Sequence, residues 1–141
     1  LVGMGISIGS GLLLVPVQRL LDESPSQEVV RIIDRSGGAA AIAGALAVAI
    51  AAPIGEELLF RGALLRSLQR RFRPAVAIAI TSVVFAAVHP LLDPSAVLAL
   101  VPLLVLSVCC GIVAVRGGDL SRSIWLHVGF NTITAIWLIA S

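Results

Sequence analysis

Five stretches of this sequence, 1–17, 37–55, 74–92, 95–115 and 123–141, are apolar over close to the length that a membrane-crossing helix needs. That length is about 20 residues. In hydrocarbon every backbone N–H and C=O must be bonded within its own segment, so runs this long predict helices. The first stretch carries Gly3, Gly5, Gly9 and Gly11, a small-residue face that lets helices approach closely. The second is expected to continue as helix beyond Gly55. The predicted fold is an all-α, polytopic transmembrane helix bundle with about five spans. An accessory helix and an extracytoplasmic loop occupy 1–36, and the main helical core occupies 37–141.

Composition closes the alternatives. Only 13% of the residues are charged and 58% are hydrophobic, whereas a soluble domain carries about 25% charged residues. Too little polar side chain is present to coat a water-soluble surface. The apolar excess excludes disorder, and a net charge of +2 is too small for a nucleic-acid footprint. Cys109 and Cys110 are neighbours in an apolar run with no second pair for a metal site or a disulfide framework, so they are expected to pack. No basic segment followed by a small-residue cleavage site suggests a signal peptide. The chain opens on Leu1, already in apolar sequence, which fits further residues upstream.

The ten basic residues are all arginine, and their placement predicts orientation. Arg66, Arg70, Arg71 and Arg73 lie between the second and third spans with no acid among them. Arg116 and Arg122 flank Asp119 between the fourth and fifth. The first connection mixes Arg19, Arg31 and Arg35 with Asp22, Glu23, Glu28 and Asp34, and the third offers only Asp93. Positive connections thus alternate with neutral or acidic ones. The 66–73 and 116–122 loops are expected in the cytoplasm and the Ser141 end outside.

Ionisable groups inside spans are costly and mark functional sites. The second span leads into Glu56-Glu57-Leu58-Leu59-Phe60-Arg61, the third contains Phe85 and His89, and the fifth contains His127 and Asn131. Glu57 and Arg61 are one turn apart with the acid first, the favoured order for an ion pair. Glu56 sits about 100° round the helix and is left as the free carboxylate. Phe85 is placed to brace His89, and His127 and Asn131 share a helix face. Counted from the cytoplasmic arginines, Glu56 lies about 15 Å deep, His127 about 8 Å, Asn131 about 14 Å and His89 about 24 Å. Helix tilt, a third helix starting below the membrane surface, and a kink at Pro53 are ways to bring these levels together.

The motifs E-E-x-x-x-R, F-x-x-x-H and H-x-x-x-N, in this order on separate helices, resemble those of the CPBP family, also called Abi, which includes the type II CAAX prenyl endopeptidases. The resemblance covers about 37–141, and the motif positions show no departures. It implies that 37–141 is a catalytic core and that the protein is an intramembrane endopeptidase. Its substrate would be a membrane-associated protein or peptide, CAAX-type lipidated ones included, with the bilayer as the other partner.

The residues agree with glutamate-activated hydrolysis. Glu56 and His89 would bind a water, and Glu56 would take its proton as the water attacks a carbonyl. His127 and Asn131 would donate hydrogen bonds to the developing oxyanion. Glu57, Arg61 and Phe85 are assigned supporting roles. Glu56, His89 and His127 also match a His₂Glu zinc set in composition, so the residues leave zinc open. No H-E-x-x-H pair is present, and the expectation is a metal-independent enzyme with no cofactor. It is placed in the plasma membrane with its site in the cytoplasmic half. The alternatives are a non-proteolytic immunity or scaffold protein of the same fold, and a proton relay or transporter. Five spans without an inverted repeat disfavour the last.

Overall fold

The computed structural model describes residues 42–44, 46–92 and 94–140, apart from the side chains at 48, 95, 134, 135 and 137–140. The first expected span, the first connection and Asp93 lie outside the described residues. Four long helices follow: α1 (Ile42–Gln69), α2 (Pro74–Leu92), α3 (Leu100–Gly117) and α4 (Ser121–Ala140). No strand occurs among the described residues. Among the described residues three segments, Ile42–Gln69, Pro74–Leu92 and Ala96–Gly117, are long and apolar enough to cross a membrane. Of the five expected spans, the second, third and fourth meet this criterion. The fifth is present as the 20-residue helix α4, and the first falls outside the described residues.

α1 is not a uniform helix. Its turns are π-helical over Ala47–Ala51 and again over Leu58–Leu65, with α-helical turns at Ala52–Glu57 and Arg66–Gln69. The first widening sits directly ahead of Pro53. Proline has no N–H to give, and its ring crowds the carbonyl one turn back. The Ala52 N–H reaches past that position to the Ala47 carbonyl, so the break expected at Pro53 takes the form of a π turn. The second widening begins immediately after Glu57. Single π turns recur at functional sites because they re-aim side chains without ending the helix.

The sequence sets the other boundaries. Pro74 opens α2 at its first position, where a missing N–H costs nothing. A 3₁₀ turn, Pro94–Ala99, leads into α3 where continuous α-helix was expected from 95. Gly118 closes α3 with φ +73°, a left-handed cap that only glycine adopts freely, and its N–H bonds the Ala114 carbonyl. Asp119 then accepts hydrogen bonds from the backbone N–H and the hydroxyl of Ser121 at the start of α4.

α2 packs along α3, α3 along α4, and α1 closes the bundle against all three. The α2–α3 approach is tight: a Cβ at Gly111 would lie 3.0 Å from Ile78 Cγ2. Near the arginine end of α1, a Cβ at Gly62 would lie 3.3 Å from Leu120 Cδ1. The turn after α1 and the turn after α3 therefore share one end of the bundle, as alternating arginine loops require. The bundle is apolar outside and carries polar groups within its apolar core. Ile42, Leu46, Ile50, Ile54 and Leu58 recur every fourth residue along α1 and are exposed, whereas Glu57, Arg61, Thr81, Ser82, Ser107, Ser123 and His127 are buried. Lipid on the outside makes that arrangement favourable, since buried polar groups hold the helices to one another.

Candidate active site

The site grows outward from Glu57. Its side chain is fully buried, and one oxygen, Oε1, accepts from Arg61 Nη1 at 2.7 Å and from His127 Nδ1 at 3.0 Å. The first contact is the ion pair read from the one-turn spacing. The second ties α1 to α4 and was not legible, because nothing local links residues 70 positions apart. Arg61 is also buried, and its second terminal nitrogen donates to Ser107 on α3, to the carbonyl at 2.9 Å and to the hydroxyl at 2.8 Å. One buried arginine thus joins two helices.

Glu56 faces the other way along the same imidazole. Its Oε2 lies 3.6 Å from His127 Nε2, and 31% of its side chain is exposed. The His127 ring stands between two carboxylates, one closed in and ion-paired, the other open. Donation of Nδ1–H to Glu57 leaves Nε2 directed at Glu56, where a single proton can bridge the pair. On α2, His89 Nδ1 donates to the Phe85 carbonyl at 2.8 Å, which presents Nε2 as the acceptor nitrogen of the neutral ring.

Phe85 sits at the centre of this arrangement and is fully buried. Its ring lies 4.8 Å from the His89 ring, 5.6 Å from the His127 ring and 5.0 Å from Phe60, centroid to centroid. The Arg61 guanidinium lies 4.8 Å from the same ring, a cation–π contact. The expectation that Phe85 braces His89 extends to both histidines and the arginine. His89 on α2 and His127 on α4 thus pack against one ring. Asn131 lies one turn beyond His127 on α4 and is half-buried.

Four buried polar atoms among the described residues lack a hydrogen-bond partner: Glu56 Oε2, Glu57 Oε2, Arg61 Nε and Ser82 Oγ. Three of them belong to the Glu56–Glu57–Arg61 segment. Unsatisfied buried polar atoms are rare, and a catalytic role or a bound water is among the explanations they call for. No group of three or more His, Cys, Asp or Glu side chains among the described residues is arranged to hold a metal ion. Cys110 is buried and Cys109 half-buried, and both are free; they pack, as expected. Trp125 is largely exposed near the start of α4, where an interfacial aromatic belongs; the side chain of Trp137 lies outside the described residues.

Comparison with known proteins bears on the whole assembly. A family model described as type II CAAX prenyl endopeptidase Rce1-like matches residues 38–133, well over half of the chain. The chain belongs to the Rce1-like family. The matched region takes in every site residue from Glu56 to Asn131. No curated protein and no solved structure was found to match the chain. Family membership makes this Rce1-like chain a membrane hydrolase of the CAAX prenyl protease kind, with a membrane-associated protein as its class of substrate. Ser107 and the Glu57–His127 contact are the parts of the site that sequence reasoning missed. A lone serine in an apolar helix carries no periodic or pairwise signal.

Proposed function

We propose that this Rce1-like chain is an intramembrane endopeptidase in which Glu56 activates water against a peptide bond of a membrane-held, CAAX-type substrate. The observation that carries the reading is the unequal pair of carboxylates on His127. Glu57 is buried and occupied by Arg61, whereas Glu56 is partly open and lies 3.6 Å from the far nitrogen of the imidazole. Charge compensation therefore falls to Glu57, and Glu56 is the carboxylate left for chemistry. That is the arrangement a general base needs.

A water held by Glu56 and the acceptor nitrogen of His89 gives one proton to Glu56 as its oxygen adds to the carbonyl carbon. His127 can donate to the resulting oxyanion only through Nε2, because its other N–H is held by Glu57. Proton sharing from Glu56 onto Nε2 arms it for that role, and the Glu56 carboxylate regenerated by that transfer balances the imidazolium. Asn131 is the second oxyanion donor. As the tetrahedral adduct collapses, the C–N bond breaks and the proton passes to the leaving amine. No covalent enzyme intermediate and no metal is required by this scheme. The arginine turns support a site in the cytoplasmic half of the plasma membrane, since Glu56 lies ten residues from Arg66 along α1, about 15 Å of helix.

The test compares peptide termini released from a prenylated CAAX peptide in vesicles by the wild type and by Glu56→Gln. Turnover is expected to fall by about 10²–10⁴-fold per folded molecule. A Glu56→Gln variant that cleaves normally overturns the mechanism and favours a non-proteolytic scaffold.

A further inference from the structure

We infer that Ser107 on α3 is a positioning residue for the reaction, fixing through Arg61 and Glu57 the direction in which His127 presents Nε2 to Glu56. The inference rests on the proposed role of Glu56 and extends it to a helix that supplies none of the motif residues. An arginine paired one turn away on its own helix is free to swing about its long stem. Arg61 is stopped from doing so by hydrogen bonds to another helix. Nη2 donates to both the carbonyl and the hydroxyl of Ser107, while Nη1 holds Glu57. The planar guanidinium is thereby fixed at two ends, with the Phe85 ring against it at 4.8 Å.

The direction of the chain of contacts is what matters. The carboxylate oxygen that Arg61 holds is the same Oε1 that accepts from His127 Nδ1. A shift of the guanidinium moves that oxygen, and the imidazole turns with it. The contact at the far side of the ring, Nε2 to Glu56 Oε2, stands at 3.6 Å, just outside hydrogen-bond reach. Small rotations of the ring therefore decide whether a proton is shared there. Ser107 is itself fully buried in an otherwise apolar stretch of α3. A hydroxyl there is costly unless bonded, and the charge of Arg61 supplies the bond. Alanine would fill almost the same space and keep the backbone carbonyl, so the side-chain oxygen alone can be removed.

The experiment uses the purified full chain with Ser107→Ala and Ser107→Thr, read in two ways. The first readout needs no substrate. In ¹⁵N-histidine spectra the His127 Nδ1–H signal, shifted downfield by Glu57, is expected to move upfield and broaden in Ser107→Ala, and to return in Ser107→Thr. The second uses the prenylated CAAX peptide. In Ser107→Ala, kcat is expected to fall about ten-fold, the rate equivalent of one hydrogen bond to a charged group, with KM unchanged and with recovery in Ser107→Thr. If Ser107→Ala fails to fold, Ser107→Cys, which keeps the side-chain shape at a somewhat larger volume and weakens the acceptor, is read in its place. An alanine variant with the wild-type signal and kcat overturns the inference. Loss of kcat with an unmoved His127 signal also overturns it. Normal cleavage by Glu56→Gln instead sinks the parent mechanism, and the histidine spectra then decide the positioning claim alone.

Discussion

Exchanging Glu57 for glutamine should damage the bundle, whereas the same exchange at its neighbour Glu56 should spare it. Glu57 accepts from Arg61 at 2.7 Å and from His127 at 3.0 Å and is fully buried. Glu57→Gln removes the only carboxylate paired with the Arg61 guanidinium among the described residues. Breaking a buried ion pair from one side typically costs about 3–5 kcal/mol. The lower end applies here, since Ser107 and the Phe85 ring still hold the cation and the glutamine carbonyl can accept one N–H. A loss of about 3 kcal/mol lowers the melting temperature by on the order of 10 °C in a chain of this size. Removing both charges, Glu57→Gln with Arg61→Gln, should recover part of that loss, because a buried pair replaced as a whole is often close to neutral. Glu56→Gln should stay within about 0.5 kcal/mol of the wild type, because that side chain is partly open and carries no ion pair with Arg61. The assay is thermal melting of detergent-purified protein, with peptide turnover measured at matched folded fractions. A Glu57→Gln variant that melts with the wild type refutes the reasoning, as does a larger melting shift for Glu56→Gln.

Three further outcomes follow from the geometry. Ser121 holds the Asp119 carboxyl below its ordinary 3.8, so this group favours the folded state at neutral pH and that contribution fades as the pH falls below about 4; Asp119→Asn should flatten the melting temperature between pH 5 and 3 relative to wild type, and equal slopes would count against it. Ser67→Cys and Ser121→Cys, in a background without Cys109 and Cys110, should both be shielded from an impermeant thiol reagent in intact cells, while Ser26→Cys labels; opposite behaviour of the first two would break the shared arginine end. Purified enzyme should keep its activity through chelation and dialysis, and restoration of a lost activity by one equivalent of zinc would reassign Glu56, His89 and His127 as ligands.

The sequence revealed what short-range geometry decides. Glu57 with Arg61, and Phe85 with His89, are each one helical turn apart, and both contacts form because the spacing alone brings them together. Pro74 and the run to Leu92 gave α2 its limits, since a proline at the first helical position leaves little choice. What was not legible depends on how separate helices meet. The Glu57–His127 bond, the anchoring of Arg61 on Ser107 and the shared ring of Phe85 all need α1, α2, α3 and α4 in register. The π turns of α1 were also hidden: Pro53 foretells a disturbance but not its form. The second π turn, Leu58–Leu65, follows no proline, and its side chains show no pattern that separates it from ordinary helix.

The placement of Arg61 and Glu57 also bears on how the protein is made. Both lie on the first described helix, yet their partners arrive late: Ser107 follows Arg61 by 46 residues and His127 follows Glu57 by 70. While the ribosome is still producing α2, the middle of the helix already made carries Glu56, Glu57 and Arg61 with nothing but one another for company. Each ionisable group at mid-membrane adds about 2.5–3.5 kcal/mol against insertion. Among the described helices, α1 is thus the one expected to depend most on later helices for its charges, and it gains its contact with His127 only when α4 arrives. A chain halted before α4 should remain beside the insertion machinery, open to quality-control degradation, with Glu56 and Glu57 made but the partner His127 still missing.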